Sequence, residues 1–201
     1  MGCSLLKHLT IPAGVESFGD EAFEDSCPLP GVTFPKGLRS IGACAFLQDT
    51  EGVNWYYRQT GGKKTYSALK SLKLPASLQE IGEMAFGGCD ALTSVTFERD
   101  AELTKIGAYA FSVCLHLKEI TLPDALLTIG DGAFGACYDL KKAVLGKALT
   151  ETGKQTFLND SSLAELVVPD TLATIGEKIL DGHGNALKVT CGEGSAMEAY
   201  L

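Results

Sequence analysis

The sequence lacks the features that mark membrane spans, signal peptides and nucleic-acid binders. Among its 201 residues there is no run of 18 or more apolar residues, so we expect no transmembrane helix. Lys and Arg number 17 against 25 Asp and Glu, which gives a formal net charge of -8. This shortage of positive charge argues against nucleic acid and anionic membranes as partners, because phosphates are bound by clustered Lys and Arg. The first residues, Met1-Gly2-Cys3-Ser4, lack the charged and apolar segments of a signal peptide.

Residues for catalysis and metal binding are also scarce. The only histidines, His8, His116 and His183, lie far apart in the chain, and none of the seven cysteines forms a C-x-x-C pair. No nucleophile elbow, P-loop or H-E-x-x-H motif is present. We therefore interpret the protein as a non-enzyme and expect no catalytic residues, no metal site and no cofactor.

What the chain does contain is a short motif, Ile-Gly-x-x-Ala-Phe, repeated seven times with few changes. The last position of the motif is occupied successively by Phe23, Phe46, Phe86, Phe111, Phe134, Phe157 and Leu180. The steps between these positions are 23, 40, 25, 23, 23 and 23 residues, and the step of 40 equals 23 plus an insertion of 17. A fixed period of this size is typical of a solenoid, in which each repeat buries its apolar face against its neighbours.

The full unit reads L-x-x-I-x-L-P-x-x-L-x-x-I-G-x-x-A-F-x-x-C, and its clearest copy spans residues 117–137. The L-x-x-I-x-L part predicts a short strand, in which Ile120 and Leu122 point to one face and Thr121 to the other. The proline that follows should end the strand, since it has no N–H. The glycine permits either an unusual backbone angle or a close approach between coils. We expect the Phe column to stack ring on ring inside the solenoid.

This unit resembles the BspA-like branch of the leucine-rich repeats, which occurs in bacterial and protozoan surface proteins. The resemblance implies an α/β-type or mainly β solenoid: a right-handed leucine-rich repeat superhelix with one short parallel strand per repeat and little regular helix. It covers about residues 3 to 191, and we interpret residues 1–201 as one domain of about seven repeats. It also implies an extracellular or cell-surface location and a role in adhesion.

Three repeats depart from the unit, and the seventh has Ile179-Leu180 in place of Ala-Phe and His183 at the Cys position. The sixth repeat has Gly146 in place of Pro and Thr152 in place of Ile, which predicts looser packing. The fourth repeat carries two extra residues between Glu98 and Glu102. The final segment, 189–201, looks like the terminal segment of the family, and Ser195 followed by Glu198 predicts a capped helix that closes the solenoid.

Most of the cysteines share one position in the repeat. Cys3, Cys89, Cys114 and Cys137 have the same phase, which indicates a ladder of small buried thiols. Cys44 falls at an exposed position of its motif and is a candidate reactive thiol.

The 17-residue insertion, residues 50–66, is the first candidate for a binding site. It contains the only Trp and three of the six Tyr, and we expect a β-hairpin with a glycine turn at Gly61-Gly62. Trp, Tyr and Arg are the residues that most often anchor interfaces. A loop whose aromatic residues simply pack on the adjacent coil explains the composition equally well. The candidate ligand-binding residues of the insertion are Trp55, Tyr56, Tyr57, Arg58 and Tyr66.

The outward row of the strands is the second candidate, with Thr96 and Thr121 as its ligand-binding residues, because solenoids bind partners along such surfaces. Threonine is also simply a good strand former. The nearby carboxylates Asp100, Glu102 and Asp124 fall in turns, where solvation is sufficient explanation. The resemblance to the BspA-like family implies a protein partner, either host matrix or a cell-surface protein. Carbohydrate stacked on the aromatic insertion and a purely structural spacer role are the alternatives.

Overall fold

The computed structural model describes residues 8–24, 29–48, 68–184 and 187–201, which form a stack of coils with two short strands in most coils. The first strand of each coil is the one that the L-x-x-I-x-L pattern predicts, and its inward residues, such as Ile120 and Leu166, are buried. Numbered in chain order, these strands are β1 (Leu9–Thr10), β3 (Val32–Thr33), β5 (Ser71–Leu74), β7 (Ser94–Phe97), β9 (Glu119–Thr121), β11 (Lys142–Val144), β13 (Glu165–Val167) and β15 (Lys188–Thr190).

The second strand of each coil has two residues and ends at the first position of the Ile-Gly motif, which is Phe18 in the first repeat, Thr152 in the sixth and Ile in the others. The sequence predicts one strand per repeat and gives no sign of this second strand, because two residues are too few to show a period. These strands form a continuous parallel seven-stranded sheet: β2 (Ser17–Phe18), β4 (Ser40–Ile41), β6 (Glu80–Ile81), β8 (Lys105–Ile106), β10 (Thr128–Ile129), β12 (Glu151–Thr152) and β14 (Thr174–Ile175). The pairing of Ile41 with Ile81 shows that the 40-residue step still closes one coil.

Both predictions for the interior are confirmed: the solenoid is parallel, and the phenylalanines stack along its axis. Neighbouring rings of the column lie 5.0–5.6 Å apart between centroids, with interplanar angles of 3–19°. Phe86, Phe111, Phe134 and Phe157 are completely buried. The stack continues from Phe46 to Phe86, so the insertion between them leaves the core periodicity intact.

The motif glycine is required for close approach and not for an unusual backbone angle. A Cβ on Gly130 would lie 2.4 Å from the backbone nitrogen of Ala108 in the preceding coil, and one on Gly107 would lie 2.6 Å from that of Glu83. Neither glycine has a positive φ. Backbone atoms of successive coils therefore touch along this column, and only glycine leaves them room.

The C-terminal helix begins where the capping pattern predicts. Helix α1 (Ala196–Tyr200) has Ser195 as its N-cap, and the Ser195 Oγ accepts a hydrogen bond from the Glu198 N–H at 3.2 Å. Glu198 accepts the N–H of Gly194 at 2.6 Å, one residue earlier than a standard capping box. The helix buries Met197, and the Tyr200 hydroxyl accepts the N–H of Ile179 at 3.1 Å.

The ring stack makes a quantitative prediction. Phe111→Ala removes a ring that touches Phe86 and Phe134 on its two faces, and should lower the free energy of unfolding by about 3–5 kcal/mol. Chemical denaturation measures this change. The exposed Leu127, replaced by alanine, is the control and should change the stability little. A Phe111→Ala variant as stable as the wild type would contradict the stacked core.

The glycine column offers a matched pair. Gly130→Ala should destabilise the fold by about 1–3 kcal/mol, because the new methyl group meets backbone atoms of the preceding coil that cannot swing aside. Gly19 occupies the same motif position in the first described coil, where a Cβ would have no heavy atom within 4 Å. Gly19→Ala should therefore be close to neutral in the same denaturation assay. Equal destabilisation at both positions would show that the backbone preference of glycine, and not contact between coils, is the reason for glycine at this motif position.

Candidate functional site: a groove where the strand face is interrupted

The first strands do not form one continuous sheet. Within residues 68–201, excluding 185–186, β5 pairs with β7, and β9, β11, β13 and β15 form a second sheet in that order, but no ladder joins β7 to β9. The two strands stay adjacent where they begin, since the Lys118 N–H reaches the Thr93 carbonyl at 3.4 Å. The interruption lies toward their carboxyl ends.

The cause is the two-residue surplus of the fourth repeat. In the adjacent fifth repeat the last apolar residue of the strand and the next core leucine, Leu122 and Leu126, are four positions apart, whereas Phe97 and Leu103 are six apart. The extra residues form a bulge fixed at both ends: the Glu98 N–H bonds to Leu74 O at 3.0 Å and the Glu102 N–H to Ala76 O at 2.7 Å. Within it Asp100 adopts a left-handed conformation, with φ of 56°.

A groove of about 820 Å³ opens between this bulge and the turn after β9. Apolar groups of Val95, Phe97, Leu122 and Pro123 are among its lining residues, and Thr96 and Thr121 stand beside them. The volume falls within the ~300–1,000 Å³ that ligand-binding clefts occupy. The remaining polar lining is mostly acidic: Glu98, Asp100, Glu102, Glu119 and Asp124, with Lys142 as the one cation among the lining residues.

Several of these charges already have partners. Glu98 lies 3.4 Å from Lys73 Nζ, Asp124 lies 2.6 Å from Lys147 Nζ, and Lys142 Nζ lies 3.0 Å from Glu165. The Lys147 ammonium beside Asp124 holds the pKa of that carboxyl below its usual value. Lys142 sits between Glu119 and Glu165 in register and bonds to the second, so it does not neutralise the groove.

Of the sequence-predicted site residues, the structure brings together Thr96 and Thr121. Both are exposed, they lie on neighbouring coils, and both line the groove; the Thr96 hydroxyl donates to Leu72 O at 3.2 Å. Trp55, Tyr56, Tyr57, Arg58 and Tyr66 lie outside the described residues, so the predicted hairpin stays a prediction.

Sequence reasoning missed the groove itself. The turn positions of Asp100, Glu102 and Asp124 predict ordinary solvated side chains, yet the three residues line one cleft. The available signal was the 25-residue step between Phe86 and Phe111, which marks a local surplus of chain in an otherwise regular array.

Three members of the predicted ladder of buried thiols, Cys89, Cys114 and Cys137, are buried, and the fourth, Cys3, lies outside the described residues. The Cys114 and Cys137 Sγ atoms donate to Phe86 O at 3.5 Å and to Phe111 O at 3.3 Å in the preceding coil. Burial raises the pKa of both thiols.

Cys44 is not the reactive thiol that its motif position suggested. Its side chain is partly buried, and this burial, together with the neighbouring carboxylates of Glu24 and Glu21, raises its pKa to about 11. Because the thiolate is the reactive form, these surroundings suppress its reactivity.

Each of the three histidines makes its own local contact. His8 Nε2 lies 2.8 Å from Thr33 Oγ1, His116 Nδ1 lies 2.9 Å from Asp139 Oδ2, and His183 bonds to Leu180 O. Among the described residues no group of His, Cys, Asp and Glu is arranged to hold a metal ion, and no helix is long and apolar enough to cross a membrane.

The sixth coil carries the polar substitutions of the core. Thr152, Thr156 and Asp160 are buried where other repeats have Ile, Ala and Cys. Asp160 Oδ1 accepts the N–H of Cys137 at 2.8 Å, but its Oδ2 and the Thr152 hydroxyl have no hydrogen-bond partner. Desolvation raises the pKa of Asp160 to about 8.

A parallel β-solenoid with leucine-rich coils and a stacked phenylalanine axis defines a leucine-rich repeat protein. The chain belongs to the BspA type leucine rich repeat family, whose sequence profile matches residues 1–53 and 64–186 in six copies. No curated protein matches the chain.

Solved structures share the fold at low identity. A leucine-rich repeat protein from Eubacterium ventriosum superposes with a TM-score of 0.70 at 21% identity, over 88% of this chain and 43% of that one. The pneumococcal vaccine antigen PcpA gives 0.52 at 20% identity, over 93% and 62%. A leucine-rich repeat protein of T. pallidum gives 0.52 at 20%, over 85% and 69%. The chain thus spans less than two thirds of the first two relatives, and these likenesses establish the fold.

Asp160 should make the stability pH-dependent. Its pKa is about 8 in the folded protein and near 3.8 when unfolded, so the folded state retains a proton that the unfolded state loses. Stability is then greatest below pH 3.8 and falls as the pH rises toward 8. Asp160→Asn keeps the acceptor for Cys137 and removes the titration, so at pH 8 it should be more stable than the wild type by about 1–3 kcal/mol.

Denaturation of the two proteins between pH 4 and pH 8 measures this difference, and the gap should close toward pH 4. Asp181→Asn removes an exposed carboxylate and serves as the control. A constant gap across this range would contradict a protonated, buried Asp160.

Proposed function

We propose that this chain is a non-enzymatic protein-binding module of a secreted or cell-surface protein, with adhesion as its role. The observation that carries the proposal is the groove between β7 and β9, an open cleft with an apolar floor on the outward face of a rigid stack. Its walls are strands and a bulge anchored by backbone hydrogen bonds, so binding there orders little new chain. Membership of the BspA type family supports the same role.

The partner that fits this proposal is a protein of the host matrix or of another cell's surface. A cleft of about 820 Å³ accommodates a few residues of a partner chain, and the continuous strand face beside it, β9 to β15, provides contact area around the cleft. The aromatic insertion, residues 50–66, adds a second contact if Trp55, Tyr56 and Tyr57 are interface anchors; if they stack on sugar rings, the module binds carbohydrate instead.

The test is binding of the purified chain to immobilised collagen, laminin and fibronectin, with a glycan array in parallel. Thr121→Arg fills the groove and should weaken binding to a matrix protein at least about tenfold, a loss of ~1.4 kcal/mol. Thr174→Arg places the same side chain on an exposed strand threonine of the second sheet and should bind like the wild type.

A variant lacking residues 50–66 distinguishes the contribution of the groove to binding from that of the insertion. If this variant still binds the matrix protein, the insertion is not part of the binding surface. If it folds normally but no longer binds, the insertion is part of that surface. Saccharide signals on the array without any binding to matrix proteins would replace the protein-binding proposal by carbohydrate binding. Equal matrix binding by Thr121→Arg and Thr174→Arg would exclude the groove as the binding site.

A further inference from the structure

The groove between β7 and β9 differs in chemistry from the strand face beside it. On the face, Lys142, Glu165 and Lys188 lie opposite one another in register with alternating charge, and Lys142 bonds to Glu165 and not to Glu119, its neighbour on the other side. Opposite charges in such cross-strand positions compensate one another. In the groove, five carboxylates face a single ammonium group among the lining residues, so the lining carries a formal charge of -4.

In the part of the chain that the structure describes, two of the five carboxylates are left with neither an ion pair nor a hydrogen bond. Glu98 and Asp124 are paired with Lys73 and Lys147, and Glu102 accepts the side-chain N–H of Gln79 at 3.2 Å. For Asp100 and Glu119, no ion pair or hydrogen bond of the side chain occurs within the described residues. They stand on opposite sides of the groove, one on the bulge and one on β9.

Neither Lys142 nor Arg99 compensates the negative charges of Asp100 and Glu119. Lys142 is held by Glu165 at 3.0 Å, and Arg99, although it belongs to the bulge, does not line the groove. The floor of the groove is apolar: Phe97 is half-buried there, and Val95 and Leu122, although they are 5% and 3% exposed, contribute to its lining. An apolar floor with free carboxylates above it suits a side chain that has a hydrocarbon stem and a cationic head.

We propose that this groove binds a lysine- or arginine-containing extended segment of a protein partner, with the aliphatic stem of one basic side chain on the apolar floor and its charged head between Asp100 and Glu119. This inference rests on the proposed function and specifies the partner's chemistry. The surplus negative charge also favours encounter with a basic partner, since charge of one sign in a cleft steers the opposite sign toward it.

The experiment uses a short blocked peptide of alternating lysine and valine, with a glutamate–valine peptide of equal length for comparison, and measures fluorescence anisotropy at ~150 mM salt. The wild-type chain should bind the lysine peptide and not the glutamate peptide. Asp100→Asn combined with Glu119→Gln should weaken binding about tenfold, a loss of ~1.4 kcal/mol. Asparagine tolerates the left-handed backbone at position 100, so the bulge should be preserved.

The matched control is Glu151→Gln combined with Asp181→Asn. It also removes two exposed negative charges, but these lie away from the groove. An equal loss in both double variants would show that only the overall negative charge matters and would overturn the proposal. So would stoichiometric binding of Ca²⁺ alone that depends on Asp100 and Glu119, because the site would then hold a metal ion.

The outcome also separates this inference from the proposed function. If Thr121→Arg abolishes binding to a matrix protein while the Asp100 and Glu119 double variant leaves that binding unchanged, the groove is the binding site but its occupant is not a basic side chain. If neither variant affects matrix binding while the lysine peptide still discriminates between the double variants, the cation pocket stands and the adhesion role falls.

Discussion

Contact between identical groups in successive coils is the constraint on which this structure depends. The phenylalanine rings stack at 5.0–5.6 Å, and the motif glycines bring backbones so close that a single methyl group does not fit. Both contacts require each coil to place the same residue at the same point of its path. The sequence period follows from this requirement, because a coil that shifted by one residue would lose its ring contact and its backbone contact together.

The same constraint decides where the chain is free to vary. Extra residues are tolerated only where they lie between two consecutive core positions and both of those positions keep their places in the coil. The insertion of 17 residues does so between Phe46 and Leu69, and the ring stack and the β4–β6 pairing continue across it. The two extra residues of the fourth repeat do so between Phe97 and Leu103, at the cost of the ladder between β7 and β9. Variation inside the core is costlier: the sixth coil buries Thr152 and Asp160 with polar atoms that have no partner.

This distinction explains what could be predicted from the sequence. The solenoid, the strand at Ile120 and the buried Phe column follow from a repeated pattern, because periodic core contacts leave a periodic trace. The close approach at Gly130 could not be separated from a special backbone angle, since both demand glycine. The two-residue strands of the second sheet carry too little pattern to be recognised. The groove depends on how Glu98 to Glu102 fold back, and a surplus of two residues does not specify that path.

The groove shows how such an array acquires a specific surface without new core residues. A regular strand face pairs its charges across coils, as Lys142 and Glu165 do, and presents little that distinguishes one coil from the next. Displacing one turn by two residues separates two strands at their carboxyl ends and opens a cleft that is lined in part by apolar atoms and in which Asp100 and Glu119 have no ion pair with any described residue. The buried stack beneath is unchanged, with Phe86 and Phe111 still 5.3 Å apart. Because the core does not have to move, such a cleft can change its chemistry residue by residue while the scaffold keeps its stability.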